Sequence, residues 1–138
     1  MRAVNIKNNN LFRLTLAFSI LLLVIVILAD ANRLPAALAI VYTFKYGDKV
    51  GHFLLIGLLN FLVALVFSAN RSTRIGGIII LSSGVVGILV ALEEASQAFF
   101  PARTVSWGDL FASFGGIIVF GWLAYWLRKR QIRVENRV

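Results

Sequence analysis

The chain has 138 residues, 59% of them hydrophobic and 14% charged, and a mean hydropathy of +0.86. A soluble domain is about half apolar and a quarter charged, so composition places this chain in a membrane and excludes an ordinary soluble enzyme. The net charge of +8 would suggest nucleic acid in a soluble protein, but here the cations cluster beside apolar runs, where they set orientation and meet anionic lipid. No soluble basic domain is left to bind nucleic acid. With no cysteine and a single histidine, disulfides, thiolate nucleophiles and Cys-based zinc sites are excluded. Neither a metal site nor a cofactor is expected.

Arg2, Lys7 and Arg13 precede or open a first apolar run over residues 11–29, which is long enough to span a bilayer. Ala29-Asp30-Ala31 imitates the cleavage site of a signal peptide, but the apolar part exceeds the usual length of one, and a retained helix is favoured over cleavage. Under either reading the following segment emerges on the outside. Residues 30–49 form a loop with Pro35, Tyr42, Phe44 and Tyr46. A second span covers residues 50–67, interrupted by His52 and Asn60, and the short polar turn Asn70-Arg71-Ser72-Thr73-Arg74 leads to a third over residues 75–92. A fourth span covers residues 110–127, and the basic tail after it is expected to fray. The predicted fold class is all-α: one polytopic membrane domain, a bundle of about four transmembrane helices.

Lys and Arg by loop give the orientation. Arg2, Lys7, Arg13, Arg71, Arg74, Arg128, Lys129, Arg130, Arg133 and Arg137 fall on one side, and only Arg33, Lys45, Lys49 and Arg103 on the other. Both termini are therefore expected in the cytoplasm. Trp122, Tyr125 and Trp126 would lie at the inner interface, with Tyr42, Tyr46 and Trp107 at the outer one. The start of span two, the end of span three and the start of span four then converge outside.

That convergence brings polar residues together. Ser83, Gly87, Ala91 and Ala95 form a ridge of small residues on span three, along which another helix can approach closely. At about 100° per residue, Glu94 lies about 20° from Gly87 around the axis and Glu93 about 120°. Glu94 should point into the bundle with Gln97 beside it, while Glu93 faces headgroups or water. Ala112 and Gly116 give span four a matching small surface, expected to dock on that ridge.

On span two, Asp48, Lys49 and His52 can share a face. Asp48 serves equally well as a helix cap in the positive N-terminal field. His52, an ionisable group near membrane depth, defaults to a functional reading. Asn60, deeper, reads as interhelical glue. Ser106 and Asp109 resemble a capping box opening span four, which explains Asp109 as well as catalysis does. Arg103 is either an ordinary loop cation or a clamp for an anionic group. Together Glu94, His52 and Asp109 form a candidate acid/base and orienting set, with Arg103, Gln97, Lys49 and Asp48 as candidate binding residues. A salt-bridge network that fixes helix packing would use the same residue types.

The combination Asp48-Lys49-x-x-His52-Phe53, Glu94-x-x-Gln97 and Arg103-x5-Asp109 with glycines behind it resembles the VanZ-like membrane proteins, whose namesake is linked to low-level resistance to the glycopeptide teicoplanin. The resemblance covers about residues 40–127. Where such families show an asparagine four residues after the aspartate, this chain has Ser113, which keeps a hydrogen-bonding side chain without the carboxamide; Gly116 matches the expected glycine. The resemblance implies a fold, a location and a set of polar positions rather than a reaction. The function expected is a bacterial inner-membrane protein with an outward-facing polar pocket that binds or acts on an envelope component, such as a lipid-linked precursor, or a glycopeptide. The alternative is a non-enzymatic accessory protein whose polar cluster fixes helix packing. The spare small-residue surfaces permit homo-oligomers, and the spans lack the mid-membrane ionisable chain of a proton-coupled carrier.

Overall fold

The computed structural model describes residues 3–36, 40–70, 73–101 and 103–136, apart from the side chains of residues 3–8, Val41 and Tyr42. Arg2, Arg71, Ser72 and Arg137, and the side chains of Lys7 and Tyr42, lie outside the described residues. Four long helices follow in order: α1 (Ala3–Asp30), α2 (Gly47–Ser68), α3 (Ile75–Ser96) and α4 (Trp107–Glu135). Two short 3-10 turns, Ile40–Thr43 and Gln97–Phe99, lie between them, and no strand occurs among the described residues. Each long helix is apolar and long enough to cross a membrane, so the fold is an all-α, polytopic membrane bundle. Apolar side chains turned outward, such as Ile80 at 74% exposure and Ile118 at 70%, are what lipid-facing helices present.

The core is small and built on close backbone approach. Asn60 is fully buried and donates from Nδ2 to the carbonyl of Ile117 at 2.9 Å, joining α2 to α4 at mid-membrane depth. Val86, Val90 and Ile117 make one apolar cluster beside it; Ala64, Ile79 and Ala124 make a second toward the end of the bundle where α4 finishes. Phe53 and Phe120 meet edge to face at 6.1 Å, and Phe120 lies over Gly57, where a Cβ would come within 2.5 Å of its Cδ2.

Three expectations need correction. Gly116 packs on α2 rather than on the ridge of α3: a Cβ there would run into the backbone carbonyl of Phe53. What fills the ridge at Gly87 is the side chain of Phe114, with Ile117 close by, so a bulky aromatic from α4 enters where a backbone was expected, and Ala95 stays exposed. Second, the basic tail is helical to Glu135. Arg128 holds it, its Nη2 donating to the carbonyls of Ser68 and Ala69 at 2.9 Å each, so the last acceptors of α2 are capped by a cation from α4. Third, Asp48 does not cap α2. Tyr46 occupies the N-cap with left-handed φ 65° and no side-chain cap bond, and Asp48 stands in the first turn.

Candidate functional site

The site begins with how α4 starts. Phe100 is extended, as the residue before a proline must be, and turns the chain out of α3 at Pro101. At the other end of this loop Ser106 is the N-cap of α4, its Oγ accepting from the Asp109 N–H at 3.3 Å. Half of the capping box expected from sequence is therefore realised, since the Asp109 side chain does not return the bond. The N–H of Ser106 is taken by Glu94 Oε1. Glu94 is 3% exposed and does turn inward as its helical position predicts, but its observed partner is a loop amide. No hydrogen bond joins it to His52 among the described residues.

His52 instead places Nδ1 3.3 Å from the Oγ of Ser113, a residue with no exposed surface. The position where an asparagine was expected is thus the one that contacts the histidine. A hydroxyl serves either tautomer of the ring, as donor or as acceptor.

Two cations cross-link the helix ends, each between two carboxylates. Lys49 Nζ lies 2.9 Å from Asp48 Oδ2 and 3.1 Å from Asp109 Oδ1, tying the first turn of α2 to that of α4. Gly108 gives it passage, since a Cβ there would stand 2.7 Å from Lys49 Cε. Arg103 reaches Asp30 Oδ1 at 3.7 Å and Glu93 Oε1 at 3.9 Å, connecting the loop to the ends of α1 and α3. These separations give ionic attraction without a direct hydrogen bond. Gln97, buried, donates to the same Glu93 oxygen at 2.9 Å.

Beneath Arg103 a cavity of about 160 Å³ opens between α1 and α2. Leu22, Ile25, Val26, Leu55 and Ile56 give it apolar walls, while Asp48, His52, Glu93 and Arg103 supply polar groups. Of the residues selected from sequence, His52, Asp48 and Arg103 line this cavity. Lys49 and Asp109 form the adjacent tie, Gln97 orients Glu93, and Glu94 stands behind in the loop. Two residues were missed. Glu93, assigned to headgroups or water from its helical angle, lines the cavity together with Leu22, Ile25 and Val26 of α1 and with Arg103. Asp30 was read only as part of a cleavage-like tripeptide; the signal available was that an acid ending span one belongs to the same end of the bundle as the others. Among the described residues no group of three His, Asp or Glu side chains is arranged to hold a metal. The chemistry on offer is an apolar slot whose mouth has more carboxylate acceptors than cations. No family model, curated protein or solved structure matches the chain.

Proposed function

We propose that this is a VanZ-like protein of the bacterial inner membrane, with both termini cytoplasmic, that binds the lipid portion of an envelope component in the cavity between α1 and α2. The carrying observation is the cavity itself: walls of Leu22, Ile25, Val26, Leu55 and Ile56, and a polar mouth with Asp48, His52, Glu93 and Arg103. That division suits an amphiphile, with the chain against the walls and a head group rich in hydrogen-bond donors at the carboxylates. A glycopeptide, or a lipid-linked precursor carrying sugar or peptide, has such donors. The basic residues at the opposite end of the bundle support a cytoplasmic location for that end.

The test is expression of the wild-type chain, His52→Ala and the cavity-filling Val26→Trp in a susceptible bacterium. Teicoplanin susceptibility, envelope lipid co-purified with the chain and membrane abundance are measured together. The reading requires that wild type retain a lipid or shift susceptibility and that both variants lose this at normal abundance. A wild-type chain that does neither, or variants that match it, overturn the reading. A second reading, a packing role without a ligand, is favoured by one observation: Glu94, the leading acid/base candidate, is engaged by the Ser106 amide. Loss of phenotype that tracks loss of protein in every variant would decide for it.

A further inference from the structure

The helix α4 has 29 residues and a length of about 43 Å at about 1.5 Å per residue. A hydrocarbon core of about 30 Å takes about 20 residues, so a helix entering near Leu110 leaves it near Lys129. The next turns run through the headgroup layer. On this stretch Trp126, Lys129, Arg130 and Arg133 follow i, i+3, i+4, i+7, which puts them on one face. They line, with Val134, a cleft of about 390 Å³. Arg130 places its guanidinium 5.5 Å from the centre of the Trp126 ring and Lys129 its ammonium 5.5 Å from that of Tyr125, contacts that orient the two cations while both side chains stay exposed.

The cations here differ from Lys49 and Arg103 at the opposite end. Lys49 and Arg103 are each flanked by two carboxylates, whereas among the described residues no carboxylate pairs with Lys129, Arg130 or Arg133. Glu135 is the sole acid after Asp109, and two residues past Arg133 it lies off this face. Helix packing does not account for these cations, because that role falls to Arg128 on the carbonyls of Ser68 and Ala69.

We propose that this face of α4 is a binding site for the phosphate head of an anionic phospholipid in the adjoining leaflet, with Lys129, Arg130 and Arg133 on the phosphate and Trp126 against the glycerol and upper acyl chain. The headgroup depth of the cleft and its continuity with a membrane span favour a lipid over a soluble polyanion.

The test is native mass spectrometry of the full chain in a mild detergent, offered equal amounts of phosphatidylglycerol, phosphatidylcholine and diacylglycerol. Each cation near an anionic surface is worth about fivefold, so phosphatidylglycerol should be retained at least about tenfold over phosphatidylcholine. The variant K129Q/R130Q/R133Q should bring the ratio to about one, and Arg74→Gln, an exposed cation outside the site, should leave it unchanged. Should the triple variant fail to fold, the wild-type preference must itself collapse as salt rises from about 0.1 M to about 1 M. Absence of the preference, its survival in the folded triple variant or at high salt, or displacement of the lipid by soluble glycerol phosphate at matched ionic strength would each overturn the proposal.

Discussion

Glu94, near the end of α3, accepts the backbone N–H of Ser106, the N-cap of α4. In a capping box that N–H goes to the acidic side chain at the third helical position, which here is Asp109. Because Glu94 takes it, Asp109 is released to face Lys49 at 3.1 Å. Glu94 thus takes over the capping task while Asp109 pairs with Lys49, and the two carboxylates hold the ends of α2, α3 and α4 together.

Glu94 should accordingly behave as an acceptor rather than as an acid. Glu94→Gln keeps an oxygen for the Ser106 amide, whereas Glu94→Ala leaves that N–H without its partner beside a side chain that is 3% exposed in the wild type. The expected loss for alanine is about 1–3 kcal/mol, with glutamine close to wild type. Thermal unfolding in detergent checks the order. Glutamine as damaging as alanine would show that the negative charge, and not the hydrogen bond, is what the position needs.

The fold was legible in the sequence to the extent that it depends on apolar length and on local turn chemistry. The spans and the Ser106–Asp109 start of α4 emerge from residue type and spacing alone. The corrections at Gly116 and Glu93 share one cause, since each depends on a neighbour that no local pattern names. Gly116 meets α2 because Phe53 and Gly57 lie opposite it, and Glu93 faces a cavity whose other wall is α1. Asp48, His52 and Arg103 could be selected as polar residues near one membrane face, but which carboxylate each cation would take depends on the loop path from Phe100 to Ser106.

Lys49 should stabilise the α2–α4 junction only while Asp109 is there to meet it. Its side chain is 35% exposed and that of Asp109 13%, so the tie is screened on one side and desolvated on the other. Lys49→Met should lower the unfolding temperature, with much of the loss coming from a carboxylate left uncompensated. Asp109→Asn in the Lys49→Met background should recover part of it. A double-mutant cycle on unfolding temperature measures this, and additive losses would mean that the two side chains do not communicate.

Close backbone approach makes two glycines opposite in effect. A Cβ at Gly116 would overlap the carbonyl oxygen of Phe53, a backbone atom that cannot swing aside, whereas at Gly77 no heavy atom lies within 4 Å. Gly116→Ala must part α2 from α4 and should cost upward of about 3 kcal/mol, beyond ordinary overpacking. Gly77→Ala should be neutral or stabilising by about 0.5–1 kcal/mol through helix propensity. Folded yield and unfolding temperature of the two variants check the contrast, and equal behaviour would contradict the α2–α4 packing.

Asn60 tests how much a polar group contributes between these helices. Its Nδ2 bonds the Ile117 carbonyl at 2.9 Å, yet its Oδ1 is buried with no hydrogen-bond partner. Removing the side chain forfeits an interhelical bond worth about 0.6–2 kcal/mol in a membrane and also removes an unsatisfied acceptor whose burial costs about 1–3 kcal/mol. The two terms oppose each other at similar size, so Asn60→Leu should stay within about 1 kcal/mol of wild type. Asn60→Asp keeps the shape but brings an ionisable group to this depth, and should cost about 2.5–3.5 kcal/mol. Unfolding of both variants in detergent gives the comparison. A leucine variant as unstable as the aspartate would mean that the bond to Ile117 outweighs the orphaned oxygen, and that α2 and α4 are held by polar contact more than by the fit of their glycines.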